Sequence, residues 1–372
     1  MNKIKKYKFC DLYDMASGIS STKEQAGHGA PFLSFGTVFN NYFLPENLTD
    51  KMDTTIEEQN TFSIKKGDVF VTRTSETIDE LAMSSVALKN YPNATYSGFV
   101  KRLRPKTTGI VHDKFLAFYL RSKLFRKTMT NNATMTLRAS FNEDIFSFLY
   151  LYLPSYEEQK KIGDLLYNIE MKMLANKKIN DNLAQQAQLL FDFMFQDISG
   201  SKHIGDFIVP QRGTALLSKD AIPGEVPVVA GGLEPAAYHN AANTVAPVIT
   251  ISSSGANAGF VNLWGIPVWS SDSSFIDFKM TPHVYFWYAL LKRHQNNIYK
   301  IQTGSAQPHI YPSHIASLPV CDLNFEKVAD YTGQVTPLFS LIAKNYKEIN
   351  QLRALRDWLL PMLMNGQATI SD

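Results

Sequence analysis

Two stretches of the chain repeat apolar residues at alternating steps of three and four, the spacing of a coiled-coil seam. The first runs from Ile162 to Met194 and the second from Val328 to Leu363. Patterns of this length predict two long helices rather than ordinary core helices, paired within the chain or, alternatively, between chains. The seam residues chosen for this prediction are Ile162, Leu166, Ile169, Leu183, Leu190, Leu338, Ile342, Ile349, Leu352 and Leu359.

Prolines interrupt the second pattern. Pro337 lies inside it, where a proline removes a backbone donor and clashes with the carbonyl four residues earlier. We therefore expect a kink or break, with the uninterrupted helix starting near Pro337. Pro361 is expected to disturb the last turns in the same way.

The helical stretches belong to a longer internal repeat. Residues 115–194 align with residues 285–364 at a constant offset of 170, without a gap, and apolar positions match in long series. Upstream, residues 68–75 resemble residues 247–254. The chain therefore reads as a globular half and a long helix, followed by a second copy of both.

The globular halves show mixed patterns. Short β-branched runs at 68–74 and 245–252 predict strands. Residues 114–129 and 284–298 predict helices whose aromatic faces are buried. Each half is therefore expected to combine strands and helices.

Composition narrows the class of protein. The 372 residues are 45% hydrophobic and 19% charged, which is typical of a globular chain of two or three domains. The two cysteines, far apart, exclude a disulfide scaffold and a four-thiolate zinc site. No apolar run approaches the roughly 18 residues that cross a bilayer, and no secretory signal is visible. We expect a cytoplasmic protein without a membrane segment.

The net charge of +3 conceals a basic region in the first half. Ten basic residues and one acidic residue, Asp113, lie between Lys101 and Arg138. Such a density can neutralise nucleic-acid phosphates, although a solvated surface is the alternative. Polar, acid-free stretches at 130–138 and 302–309 occupy matching places in the repeat. This correspondence favours a duplicated binding function.

Motifs of catalysis are missing from the sequence. There is no phosphate-binding loop, no His-Glu-x-x-His, and no Asn/Asp-Pro-Pro-aromatic motif of an adenine methyltransferase. The eight histidines form no obvious ligand set. We predict no catalytic residue and no metal site.

The order of elements resembles the DNA-specificity (S) subunit of type I restriction–modification systems, over essentially the whole chain. The passage 135–162 into the first helix and the tail 358–366 are similar to that family, whereas 323–328 departs from it. Each half also opens like the family's target-recognition domain, with Ser17-Gly18-Ile19-Ser20 before Ala30-Pro31-Phe32-Leu33 and Arg212-Gly213-Thr214 before Val226-Pro227-Val228-Val229.

The resemblance implies an α+β protein with two α/β target-recognition domains, separated by two long antiparallel coiled-coil helices and related by a pseudo-twofold repeat. The implied boundaries are target-recognition domain 1 at 1–154, spacer helix 1 at 155–197, target-recognition domain 2 at 198–324 and spacer helix 2 at 325–366.

The resemblance also implies a function without catalysis by this chain. Each domain would read half of a bipartite double-stranded DNA site, and the helices would fix the gap between the half-sites. Two methyltransferase subunits carrying S-adenosylmethionine would dock and flip the target adenine. Endonuclease–translocase subunits, with ATP and Mg²⁺, would join for restriction. A self-contained DNA-modifying or restriction enzyme and a coiled-coil scaffold without DNA specificity remain alternatives.

Within this resemblance, the residues we expect to contact DNA are polar or basic, and they follow predicted strands, belong to the basic stretch or lie in the polar loops. In the first half they are Arg73, Ser75, Arg102, Arg104, Lys123, Thr134, Thr136 and Arg138. In the second half they are Ser253, Ser254, Asn257, Ser271, Gln302, Ser305, Gln307 and His309.

Overall fold

A computed structural model describes residues 4–20, 22–132, 139–198, 200–304 and 306–370. Its mixture of helices and strands confirms the predicted α+β class. The chain divides into two compact units. Unit 1 comprises Met1–Lys172 and Gln351–Asp372, and unit 2 comprises Met173–Asn350.

Unit 1 contains short strands and helices. Its strands are β1 (Lys5–Lys8), β2 (Tyr13–Ser17), β3 (Ala26–Leu33), β4 (Lys51–Met52), β5 (Val69–Thr72), β6 (Thr74–Ser75), β7 (Ser84–Val86), β8 (Thr95–Tyr96), β9 (Val100–Pro105), β10 (Ala139–Ser140) and β11 (Tyr150–Leu153). Its helices are α1 (Phe9–Leu12), α2 (Phe35–Asn40), α3 (Ile56–Thr61), α4 (Asp113–Arg121), α5 (Lys123–Asn132) and α6 (Glu143–Phe148). The first long helix, α7 (Tyr156–Met194), begins in this unit.

Unit 2 has a similar series. Its strands are β12 (Lys202–His203), β13 (Gln211–Arg212), β14 (Val226–Val229), β15 (Ala237–His239), β16 (Val248–Ser252), β17 (Val261–Trp264), β18 (Trp269–Ser270), β19 (Ser273–Asp277) and β20 (Pro319–Val320). Its helices are α8 (Val284–Arg293), α9 (Gln295–Lys300) and α10 (Pro312–Ala316). The second long helix, α11 (Phe325–Met364), begins here and ends in unit 1.

The sheets of the two units have the same strand order. In unit 1 an antiparallel sheet runs β2-β9-β5-β7, a three-stranded sheet runs β4-β3-β8, and β1 pairs with β11. In unit 2 the corresponding orders are β13-β19-β16-β17, β15-β14-β18 and β12-β20. The central strand of each three-stranded sheet pairs antiparallel on one side and parallel on the other. The predicted internal repeat is therefore confirmed at the level of topology.

The structure corrects the register of that repeat. At the starts of α4 and α8, Leu116 N–H donates to the His112 carbonyl and Trp287 N–H to the His283 carbonyl, so equivalent residues are 171 apart. On the long helices the buried Ile162 corresponds to the buried Tyr331, 169 residues on. The constant offset of 170 is therefore wrong by one residue in each region. An apolar face recurs after both three and four residues, so a shift by one still pairs apolar with apolar.

Both long helices run without interruption. The helix predicted over 162–194 is present as α7, but the break expected at Pro337 is wrong, because α11 continues from Phe325 to Met364. The carbonyl that Pro337 leaves without a donor belongs to Gly333. Both residues are exposed, so water can donate to that carbonyl. Pro361 also leaves the last turns helical, and the residue four before it, Asp357, is exposed.

The seam of the long helices contains a polar layer in unit 2. Asn345 Nδ2 donates to Asn180 Oδ1 at 2.8 Å, and Asn176 Nδ2 donates to Glu348 Oε2 at 2.7 Å. Partner numbers fall along α11 as they rise along α7, so the pairing is antiparallel. Of the ten predicted seam residues, four are buried and six are half-buried.

We expect Asn345→Leu to lower the free energy of unfolding by about 1 kcal/mol, because it leaves the buried Asn180 amide without its partner. The double variant Asn180→Leu/Asn345→Leu should regain that loss, since it removes both polar groups. Urea unfolding of both single variants and the double variant gives the coupling energy directly. Additive losses would show that the two amides do not depend on each other.

Candidate DNA interface

One edge of the large sheet in unit 1 carries an arginine, a phenylalanine and a lysine. Arg73 follows β5, and its N–H donates to the Phe99 carbonyl at 2.8 Å. Its own carbonyl accepts from Phe141 N–H at 2.7 Å. Lys101 lies on β9, opposite Ser17 of β2, and its Nζ donates to Ser17 Oγ at 2.7 Å. Phe99 lies in the turn between β8 and β9, two residues before Lys101. Its carbonyl accepts the backbone hydrogen bond of Arg73, so it neighbours both basic residues.

Unit 2 builds the same backbone frame from different residues. Ser253 N–H donates to the Asp272 carbonyl at 3.1 Å, and the Ser253 carbonyl accepts from Ile310 N–H at 2.9 Å. Ser253 is therefore the counterpart of Arg73, and Asp272 that of Phe99. The alignment of 68–75 with 247–254 had placed Ser252 opposite Arg73, one residue away.

The edge in unit 1 is cationic. Within the described residues neither Arg73 nor Lys101 forms an ion pair with a carboxylate. Burial lowers the pKa of Lys101, and the neighbouring Arg73 charge lowers it further, with Glu143 acting in the opposite direction. Two cations that repel each other at one edge favour a bound anion such as a phosphate. The exposed Phe99 ring adds an apolar surface beside them.

The edge in unit 2 is a hydrogen-bonded network around a carboxylate. Arg212 Nη2 donates to Asp272 Oδ1 at 2.6 Å, and Ser254 Oγ donates to Asp272 Oδ2. Arg212 occupies the place of Ser17, because it pairs with Ser274 as Ser17 pairs with Lys101. The two units therefore carry different side chains on the same arrangement of backbone hydrogen bonds.

The structure brings most candidates of the second half together. Ser254 forms a backbone bridge with His309, and Gln302 Nε2 donates to the Ala258 carbonyl at 2.7 Å, so the loop 253–259 lies against residues 302–304 and 306–309. Ser271 precedes Asp272 and is held by the Leu216 backbone. Asn257 is half-buried and Gln307 exposed, whereas Ser253 Oγ is buried without a partner in the described part of the chain. Ser305 lies outside the described residues.

The basic stretch of the first half does not form a single surface. Six of its residues donate to carbonyls or carboxylates of unit 1, and these are Arg102, Arg104, Lys106, Lys114, Arg121 and Arg126. Lys123 is exposed, and Ser75 Oγ accepts from Thr77 N–H. Thr134, Thr136 and Arg138 lie outside the described residues. DNA contact by each candidate stays a prediction.

Arg102 and Arg104 have structural partners that sequence reasoning missed. Arg104 makes a bidentate pair with Asp68, both distances 2.7 Å, and Asp68 is fully buried. Arg102 donates to the Ser63 carbonyl at 2.9 Å and lies over the Tyr96 ring. Residues 68 and 104 are far apart in sequence, so no local pattern signals their pairing.

Phe99, Lys101, Arg212 and Asp272 were not among the chosen candidates. An aromatic residue beside a strand usually packs in the core, so no feature of the sequence predicts that Phe99 is exposed. The signal that could have revealed these residues is the alignment of two turns, one after Tyr96-Ser97 and one after Trp269-Ser270. That alignment places an aromatic residue opposite an acidic one.

Residues 3–185 match the family model described as the type I restriction modification DNA specificity domain. A 170-residue stretch, 45% of the chain, is 28% identical to the type I restriction enzyme HindI specificity subunit of Haemophilus influenzae. That match spans only 35% of the relative's own length.

A solved structure shares the fold. The crystal structure of the type I restriction–modification system S subunit from M. genitalium aligns with a TM-score of 0.61 at 19% identity, covering 97% of this chain and 96% of that one. Part of the sequence, and the fold, are therefore similar to those of the DNA-specificity (S) subunits of type I restriction–modification systems.

In the described part of the chain, every helix is too short or too polar to span a membrane. Among the same residues, no three histidine, cysteine, aspartate or glutamate side chains converge as metal ligands.

Proposed function

We propose that the chain recognises a bipartite DNA site, one half-site through each unit, and directs methyltransferase and endonuclease subunits to it. The family supplies specificity rather than catalysis, so this chain would perform no chemistry. S-adenosylmethionine would be carried by two methyltransferase subunits, and ATP and Mg²⁺ by the endonuclease–translocase subunits.

One observation carries the proposal of two half-sites. The same sheet order and the same backbone bonds present Arg73, Phe99 and Lys101 in unit 1. In unit 2 they present Ser253 and Asp272, with Arg212 bonded to Asp272. A duplicated frame supports duplicated binding, and unlike side chains on that frame favour two different base sequences.

The charge distribution supports different modes of holding DNA. The cationic edge of unit 1 suits phosphate contacts, which weaken steeply as salt rises. The edge of unit 2 offers neutral hydroxyls and a carboxylate already balanced by Arg212. Unit 2 would therefore depend more on hydrogen bonds to bases.

Methylome sequencing tests the proposal. Cells that carry this chain with the methyltransferase subunit of the same system should methylate adenine in one motif with two specified halves and an unspecified gap. Deletion of this chain should abolish that methylation, and its return on a plasmid should restore it. Methylation that persists without the chain would contradict the proposal.

The alternatives give different results with purified protein. A self-contained enzyme would methylate or cleave DNA when this chain is incubated alone with each cofactor. A scaffold without specificity would bind every duplex equally, with a salt dependence and no preferred site. The proposed S subunit should show neither behaviour, and should select its motif when the methyltransferase subunit is present.

A further inference from the structure

We propose that Phe99 and Asp272, at equivalent places in the two units, each determine the base sequence of one half-site. Phe99 would make an apolar contact with a base in duplex DNA, and Asp272 would accept a hydrogen bond from an exocyclic amino group. This inference rests on the proposed function and adds to it the residues that read the bases.

The exposure of Phe99 has no explanation inside unit 1. Phe99 is 64% exposed, although the strands on either side of it, β8 and β9, each belong to a packed sheet. Other aromatic residues of the same sheet region, such as Phe70 and Tyr96, are fully buried. The Phe99 backbone is fixed at both polar groups, since its N–H donates to Ser97 Oγ and its carbonyl accepts from Arg73 N–H. The ring is thus held outward on a rigid turn.

The neighbours of Phe99 indicate DNA as the occupant. Arg73 and Lys101, without carboxylate partners in the described residues, give this edge the charge that phosphates require. Cations that contact the backbone position a protein on the duplex, while apolar side chains reach a thymine methyl group or a base step. A protein partner of mixed surface would not need two cations without carboxylate partners, in the described part of the chain, beside one exposed phenylalanine.

Asp272 is oriented for a different contact. Arg212 binds one carboxylate oxygen and Ser254 the other, which fixes the plane of the group. The side chain remains 37% exposed, and each oxygen of a carboxylate can accept more than one hydrogen bond. The Arg212 charge offsets repulsion between the carboxylate and DNA phosphates. A fixed, partly exposed carboxylate suits the amino group of cytosine, a donor in the major groove.

The test uses the whole methyltransferase complex with each variant in turn, and reads the motif from the methylome. Phe99→Ala should relax one half-site, or reduce its methylation about 10-fold, without altering the other half. Asp272→Asn should act in the same way on the opposite half. Matched controls are Phe148→Ala, another exposed phenylalanine at 67%, and Asp330→Asn on α11, both of which should keep the native motif.

A third variant distinguishes recognition of a base by Asp272 from a purely structural role of its ion pair with Arg212. Arg212→Gln removes the ion pair but keeps the carboxylate, so it should weaken methylation without changing the base preference. Identical motif changes in Arg212→Gln and Asp272→Asn would overturn the role assigned to Asp272. Native motifs and rates within twofold for both Phe99→Ala and Asp272→Asn would overturn the inference as a whole. A native complex that gives no bipartite motif would instead overturn the proposed function.

Discussion

Replacement of Arg104 by leucine is expected to lower the free energy of unfolding of unit 1 by about 3–5 kcal/mol. Arg104 forms two hydrogen bonds with Asp68, whose side chain is fully buried, and a third with the Ser63 carbonyl. The hydrogen bonds to Asp68 raise the pKa of Arg104. Leucine would leave the Asp68 carboxylate charged, buried and without its ion-pair partner. Domains of this size have only about 5–15 kcal/mol of stability, so the loss is a large fraction.

Chemical denaturation followed by circular dichroism measures this loss. Arg73→Leu is the matched control, because Arg73 is exposed and should change stability by no more than about 0.5 kcal/mol. The sequence assigned both arginines to DNA contact, and the pair of variants separates the two roles. If Arg104→Leu retains native stability and loses only DNA affinity, the structural role of the Asp68 pair is wrong.

Gly163→Ala and Gly333→Ala are expected to have opposite effects on stability, differing by about 1.5–4 kcal/mol. A Cβ at Gly163 would lie 2.6 Å from the Phe115 backbone nitrogen and 3.0 Å from His112 Nδ1. Neither α7 nor the start of α4 can move without disturbing a packed core, so overpacking should cost about 1–3 kcal/mol. At Gly333 an added Cβ would have no atom within 4 Å apart from the adjacent backbone of its own helix, and alanine in an exposed helix interior should stabilise by about 0.5–1 kcal/mol.

Thermal and urea unfolding of the two variants check this prediction. Both glycines lie within the long helices, Gly163 in α7 and Gly333 in α11. By the register that burial reveals, however, Thr332 rather than Gly333 corresponds to Gly163. Equal shifts in both variants would show that helix propensity alone decides the outcome and that α7 does not approach α4 closely.

The long helices and the duplication could be predicted because both depend on periodicity. A seam from Ile162 to Met194 is a local signal, and α7 follows it closely. The exact register of the repeat could not be predicted, since apolar faces tolerate a shift by one residue. Whether Pro337 breaks the helix also depends on the exposure of the carbonyl four residues earlier, which the sequence does not reveal. An exposed glycine four residues earlier leaves its carbonyl open to water.

Polar loops in matching places of the repeat predicted a duplicated site, and DNA contact by these loops stays a prediction. Sequence alone could not distinguish basic residues that face solvent from those that form hydrogen bonds within the fold. Arg121 donates to the Val38, Phe39 and Asn41 carbonyls, more than 75 residues away along the chain. Such partners become visible only when the backbone is folded. Phe99 was overlooked for the converse reason, because its apolar character predicts burial.

The division of the chain has a consequence for the order of synthesis. Unit 2 lies within one continuous stretch, Met173–Asn350, whereas unit 1 needs the closing segment Gln351–Asp372. Leu363 and Met364 of that segment pack in the same core as Ile162 and Leu166. Because domains fold during synthesis as their residues emerge, unit 2 can be complete while unit 1 still awaits its last helical turns. Unit 1, whose synthesis begins first, is therefore completed last. A chain that ends before Gln351 would contain all of unit 2, but the core of unit 1 would lack the residues that close it.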